Sequence, residues 1–170
     1  MTGRLALVSV AVAIVLVSPV GTAQVNDFTP VTDAMLQKPD AADWLSWRRT
    51  LDGQGHSPLD QITTENVGRL RLRWSWSLGE GSQQTTPLVY DGILYIANPG
   101  EIVQALDAAT GDLLWEFRRD ASYPDSSSGG PPPGRPHRNI AIYQDKIYLN
   151  TADAHVIAID ARTGEPVWDT

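Results

Sequence analysis

The strongest constraint on the fold is a phrase written twice. "ALDAATGDLLW" runs from Ala105 to Trp115 and "AIDARTGEPVW" from Ala158 to Trp168, at an offset of fifty-three residues. Asp107 matches Asp160, Gly111 matches Gly164, Trp115 matches Trp168, and Tyr95 and Tyr148 share the same offset. Self-similarity at this period marks a repeat architecture, whose units stack because none of them buries its apolar faces alone. Each residue type in the phrase has a local task. The Asp carboxylate accepts backbone N–H groups in the turn that it opens, and Thr does so more weakly. Gly takes the left-handed conformation at little steric cost. The Trp leaves the turn on an outer strand, where its ring can pack on a neighbouring unit and its indole N–H can reach a carbonyl. Its role is therefore structural.

The residues around each copy of the phrase read as short strands. "TPLVYDGILYIAN" is two apolar runs about Asp91-Gly92, a strong hairpin signal because that turn needs positive φ. "IVQALD" and "LLWEF" follow as two more strands. The order returns in "IAIYQDKIYLN", with Asp145-Lys146 expected at the turn, and in "HVIAID" and "EPVWDT". Four short strands per unit predict an all-β propeller blade. Upstream, "RLRLRWSW" alternates polar and apolar with period two and predicts a strand with Arg69, Arg71 and Arg73 on its solvent face. "DAADWLSWRRT" predicts a short helix or turn that buries Trp44 and Trp47. "SPLDQITTENVGRL" predicts about one helical turn capped by Thr64 and limited by Gly68. Between the two units lies a Pro/Gly/Ser-rich loop, residues 120–137, longer than an ordinary strand connection and so either functional or a solvated insertion.

Composition narrows the function. The formal charge of −7 leaves no clustered basic surface for nucleic acid or an anionic membrane. With no cysteine, a disulfide-stapled mini-fold, a thiol redox site and a lipid-modified cysteine are all excluded. Residues 1–23 have the layout of a secretory signal peptide: a positive start at Arg4, an apolar run from Leu5 to Val17, and Gly21-Thr22-Ala23 before Gln24. That run is too short to cross ~30 Å of hydrocarbon, which takes roughly 20 residues, so no membrane span is expected after cleavage. The remaining divisions are an N-terminal segment, 24–68, and the blades, 69–170.

With these motifs, the chain resembles the PQQ-dependent quinoprotein alcohol dehydrogenases. The likeness is carried by "DWLSWRRTLDGQGHSPLDQITTENVGRLRLRWSW", by "TTPLVYDGILYIANPGEIVQALDAATGDLLWEFRR" and by the doubled phrase, and it covers about Val31 to Thr170. The resemblance implies an eight-bladed quinoprotein propeller in the periplasm, of which this chain is the N-terminal portion of about two blades. It implies pyrroloquinoline quinone (PQQ) as cofactor, with a calcium or lanthanide ion, a small alcohol as substrate and a cytochrome c as electron acceptor. Two site positions carry over: "QTTP" places Gln84 at a cofactor contact, and His137-Arg138-Asn139 places Arg138 near the quinone oxygens. Both are expected to face the propeller axis, each just before an inner strand. The metal ligands and the catalytic base are expected in later blades, so the chain by itself is expected to be inactive.

There are departures from the family pattern. Gln84 stands where the family has Glu, so an acceptor is kept and the charge lost. The two adjacent cysteines that many members carry before the Arg segment are absent, and Pro132 and Pro133 stand near their place. Asp153 and His155 alternate with Ala152 and Ala154 at the approach to a strand, and no metal site is expected there. Two other readings share the repeat: a periplasmic scaffold propeller of the outer-membrane-assembly type, and a sensor domain of a membrane kinase. The scaffold would need a cysteine for its lipid, and the sensor would not carry a cleavable signal. The export reading is checked by intact mass: periplasmic protein is expected to lack the first twenty-three residues, and recovery of the uncleaved chain in the cytoplasm overturns it.

Overall fold

The Asp91-Gly92 pair forms the turn its composition demands, with φ of 48° and 75°. It joins strand β1 (Leu88–Tyr90) to β2 (Ile93–Asn98), paired antiparallel with Tyr90 opposite Ile93. β3 (Ile102–Asp107) and β4 (Leu113–Arg118) complete a four-stranded sheet in sequential order. The second unit repeats it with β5 (Ile140–Tyr143), β6 (Lys146–Asn150), β7 (Val156–Asp160) and β8 (Pro166–Asp169). The computed structural model describes residues 25, 27–119 and 140–170. The expected signal peptide, the whole of the 120–137 loop, and Arg138 lie outside the described residues.

The fifty-three-residue offset is kept in three dimensions. Each sheet has a register shift between β3 and β4 or their equivalents, at Ala105/Leu106 and at Ala158/Ile159. Asp107 Oδ1 accepts the N–H groups of Ala109 and Thr110, both at 2.8 Å, and Asp160 Oδ1 accepts those of Arg162 and Thr163 at 2.8 and 3.2 Å. One expectation needs correcting. The second hairpin turns at Gln144-Asp145, with Gln144 at φ 53°, and Lys146 is already in β6, opposite Tyr143. Gln144 lies fifty-three residues after Asp91, so the repeat offset, more than local turn propensity, sets the register.

The two sheets face each other across one core. Alternation puts Tyr95, Ala97, Val103, Ala105, Trp115 and Phe117 on one face of the first sheet. Ile140, Ile142, Ile147, Leu149, Ile157 and Ile159 of the second sheet lie in the same buried cluster. Trp115 is the pin of this interface. Its Nε1–H donates to the Ala161 carbonyl at 3.0 Å, and a Cβ on Gly164 would lie only 2.7 Å from its ring. Gly164 is thus required twice, by φ 76° and by the indole lying on it.

The same contact recurs one layer earlier, where the sequence had not marked it. Trp74 Nε1–H donates to the Ala108 carbonyl at 3.0 Å, and a Cβ on Gly111 would lie 2.6 Å from that ring. Trp76 Nε1–H donates to Gln104 Oε1 at 3.0 Å, and Gln83 Nε2–H to the Ala97 carbonyl at 2.7 Å. Residues 74–83 therefore lie as a strap over the other face of the first sheet. "RLRLRWSW" is not a strand, because no ladder partner for it exists among the described residues and an extended chain without one has no sheet. Arg69, Arg71 and Arg73 are exposed as expected, but so are Leu70 and Leu72.

The N-terminal segment ties the two sheets together at their turn ends. Val31 pairs with Gln144 and Trp44 with Val89, and the Tyr90 hydroxyl donates to the Thr29 carbonyl at 2.7 Å. A short helix, α1 (Asp33–Gln37), lies between, its Met35 N–H accepted by the Thr32 hydroxyl. Trp47 is not buried. It is 58% exposed, under the Arg48 guanidinium, and Leu45 occupies the core in its place. The later helical turn is a 3-10 turn at Val67–Arg69, three residues after Thr64. For the docking contact, Trp115→Ala in the intact protein is expected to cost about 3–5 kcal/mol in unfolding free energy. Gly111→Val and Gly164→Val are also expected to destabilise, each displacing an indole; an unchanged melting temperature in all three refutes the docking.

Candidate functional site

The strand directions define two ends of the assembly. One end carries the tight turns, at Asp91-Gly92, Asp107–Asp112 and their repeats. The other carries the approach to β1, the β2–β3 turn, the end of β4, the β6–β7 turn and the end of β8. Gln84 belongs to this second end, four residues before β1. Its side chain is exposed, and it has a bonding partner of its own. Neighbouring Gln83 points inward and is anchored on Ala97. The inner strands β1 and β5 approach one another, so the chain enters both sheets at this end, side by side. Arg138 lies two residues before β5 but outside the described residues, so its side chain is not placed.

Two polar clusters underlie this end, and neither was read from the sequence. On the strap side, Gln104 is a hub: Oε1 accepts Asn98 Nδ2–H at 2.7 Å and the Trp76 indole, and Nε2–H donates to Glu116 Oε2 at 2.7 Å. Asn98 Oδ1 and Gln83 Oε1 are buried and have no hydrogen-bond partner among the described residues. These are acceptors only, suited to a donor such as water and unsuited to a polyanion. Between the sheets, Arg119 Nη1 meets Glu101 Oε2 at 3.3 Å and Asp153 Oδ1 at 2.7 Å, and Nη2 meets Asp169 Oδ2 at 3.4 Å. Glu101 Oε1 also accepts the Ala152 N–H at 2.8 Å.

Asp153 and His155 are thereby accounted for by protein partners. Asp153 accepts the Thr151 hydroxyl and the Arg119 guanidinium, and His155 Nδ1 lies 2.5 Å from Asp169 Oδ1. Among the described residues no group of three or more His, Cys, Asp or Glu side chains could hold a metal ion. The signal that could have found the second cluster is a charged residue in "NPGE", at the tight corner between two apolar strands.

The paired sheets, the docking indoles and the inner-strand approach define a β-propeller segment. Residues 44–169 match the PQQ family model, described as the glucose/ethanol/alcohol dehydrogenase β-propeller domain, and the chain belongs to that family. It is 38% identical over 166 residues to the dehydrogenase subunit of the quinone alcohol dehydrogenase of Gluconobacter oxydans, covering 97% of this chain and 22% of that protein. It is 37% identical over 119 residues to the 1-butanol dehydrogenase (cytochrome c) of Thauera butanivorans, covering 69% of this chain and 17% of that protein. The solved quinohemoprotein alcohol dehydrogenase ADHIIG of Pseudomonas putida HK5 superposes with a TM-score of 0.71 at 32% identity, over 85% of this chain and 22% of that one. The chain thus spans about a fifth of the length of these relatives.

Fit to PQQ can be tested at the one described candidate. Gln84 offers an exposed amide, donor and acceptor together, at the end where the inner strands begin. At the same end of the sheets the buried carboxylate of Glu101 is paired with Arg119, and the exposed carboxylate of Glu116 accepts from Gln104 and Arg118. A neutral amide at Gln84 is chemically compatible with an acidic cofactor, since it can donate to a carboxylate or quinone oxygen. The charge cluster also generates a pH dependence. The Thr151 hydroxyl, and next the Arg119 guanidinium, hold the Asp153 carboxyl down at about 2, against an ordinary 3.8. A lowered carboxyl contributes stability above its ordinary value and loses it as pH falls through its folded value. Unfolding free energy of the intact protein is expected to drop between pH 4 and 2, and Asp153→Asn to flatten part of that drop; Asp52, Glu65, Asp107, Asp145 and Asp160, also lowered, act in the same direction.

Proposed function

We propose that this chain is the first part of the propeller of an exported, periplasmic PQQ-dependent alcohol dehydrogenase that oxidises a small alcohol and passes its electrons to a cytochrome c. The observation that carries this reading is the family match over residues 44–169. The cytochrome c acceptor draws on the printed name of the Thauera butanivorans relative, and export on the first twenty-three residues. PQQ, when bound, supplies the two-electron acceptor. A calcium or lanthanide ion beside it would be held by residues beyond this chain, as would the base that takes the alcohol proton.

The part of this chain is to hold the cofactor. Gln84 would donate its Nε2–H to a cofactor oxygen from the approach to β1. Arg138 would present a guanidinium, a fixed fork of donors that stays charged, two residues before β5. A cation there favours negative charge gathering on the cofactor oxygens during oxidation more than it favours the ground state. In the intact protein reconstituted with PQQ, Arg138→Ala is expected to lower turnover about 10²–10³-fold, the usual cost of one such donor, with little change in melting temperature. Arg138→Lys is expected to restore part of it, because a point charge lacks the fork. Gln84→Ala is expected to weaken PQQ affinity more than turnover. Wild-type affinity and turnover in Arg138→Ala overturn its assignment.

A further inference from the structure

We propose that Glu101 is a positioning residue for the cofactor-holding end of the two sheets. It latches the β2–β3 turn onto the β6–β7 turn and, through Arg119, ties the end of β4 to the same point. The inference rests on the cofactor reading above, but its residues are different ones.

Three observations carry it. First, Glu101 is 1% exposed, and both of its carboxylate oxygens are used across the gap: Oε1 by the Ala152 N–H at 2.8 Å, Oε2 by Arg119 at 3.3 Å. A buried carboxylate is tolerated only when paired in this way. Second, Arg119 joins the turn after β2 to Asp153 in the turn after β6 and to Asp169 at the end of β8, while its own N–H reaches the Glu101 carbonyl at 3.4 Å. Third, one left-handed position of this corner repeats while its side chain does not, and the second corner carries its carboxylate one residue earlier, at Asp153. Glu101 has φ 59° and Ala154, fifty-three residues on, has φ 68°. The left-handed position alone therefore does not call for a carboxylate; the first unit carries one there in addition.

At the opposite end the sheets meet through neutral donors, the Tyr95 hydroxyl at 3.2 Å and the Trp115 indole at 3.0 Å, both on the Ala161 carbonyl. Charge-assisted hydrogen bonds are stronger than neutral ones and more geometrically specific than aromatic packing. With one end pinned at Ala161, the latch at the other end sets the angle between the sheets. That angle fixes how far the approach to β1, which carries Gln84, lies from the start of β5.

The test uses the intact protein, with PQQ uptake followed by fluorescence titration and amide exchange followed in parallel. Glu101→Gln keeps an acceptor for Ala152 but loses the charge that holds Arg119, and is expected to weaken PQQ affinity about three- to tenfold, the range of a remote coupled residue. Glu101→Ala is expected to do so more strongly and to speed exchange of the Ala152 amide by about tenfold or more. Tyr95→Phe, which removes a bond from the opposite end of the same interface, is expected to lower the melting temperature and leave PQQ affinity unchanged. Wild-type PQQ affinity in both Glu101 variants overturns the proposal, as does a loss in Tyr95→Phe that matches its loss of stability. If the wild-type protein takes up no PQQ, the cofactor reading fails, and an Ala152 amide equally protected in wild type and Glu101→Ala then sinks the latch by itself.

Discussion

An indole laid flat on a glycine, with its N–H on the carbonyl three residues earlier, is the contact on which the assembly depends. It occurs as Trp74 on Gly111 and Ala108, and as Trp115 on Gly164 and Ala161. A four-stranded sheet has two faces, and a small one cannot bury both unaided. The contact solves this by laying a tryptophan of one layer, from the strap or from β4, on the corner of the next. The glycine must lack a Cβ so that the ring can come down, and the Asp opening the corner must hold two N–H groups so that the carbonyl faces out. The phrase is conserved within the chain because geometry couples its members. Trp168 shows the dependence by contrast. It keeps the same tilt against Tyr148 that Trp115 has against Tyr95, yet is 41% exposed, where Trp115 is 1% exposed.

The interface between the sheets is built differently at its two ends. Near Ala161 it is aromatic and aliphatic, held by dispersion and burial, which reward contact but tolerate small rotations. At the inner-strand end it is ionic, with one guanidinium among three carboxylates and a histidine beside them. Ion pairs with partly exposed partners such as Asp153 and Asp169 add little to stability. Their contribution is directional, and Glu101, the one fully buried member, supplies the direction. The strap adds a third constraint at the same end, because Gln83 is anchored on Ala97 while the next residue, Gln84, is turned outward.

The scaffold was legible because repetition checks itself. Two copies of a turn with Asp, Thr, Gly and Trp in fixed places leave few alternatives, and the first hairpin followed from Asp91-Gly92 alone. The errors fell where local pattern was read without a partner. "RLRLRWSW" has strand periodicity, but a strand also needs a neighbour to bond, and Trp74 instead docks on a glycine that a one-dimensional reading assigned only to its own turn. The second hairpin was misplaced by one residue because Asp145-Lys146 looked like the turn, although the offset from Asp91 already pointed to Gln144. The three-residue spacing of Trp44 and Trp47 suggests one buried face, yet Trp47 is exposed and Leu45, next to the bridge from Trp44 to Val89, is the buried residue. Of the site, Gln84 and Arg138 came from family likeness. Periodicity and propensity carry no sign of them.

That division has a physical cause, visible when positions fifty-three residues apart are compared. Residues that dock the layers must be alike in every layer, since each layer meets the next through the same geometry: Asp107 and Asp160, Gly111 and Gly164, Trp115 and Trp168. A ligand on the common axis has no such symmetry. Different sides of it present different atoms, so the layers around it must differ where they face it. Gln84 is answered by His137, Glu101 by Ala154, Asn98 by Thr151 and Gln104 by Ile157. Among the described residues, Gln84, Asn98 and Glu101 lie at the inner-strand end and Gln104 lies within β3, while the like pairs lie at the corners and on the outer strands. In a repeat protein the departures from the repeat, set on a backbone that still repeats, are therefore the more informative guide to the site. By that criterion Glu101 stands out, since it shares its left-handed backbone with Ala154 and carries a buried carboxylate that Ala154 lacks.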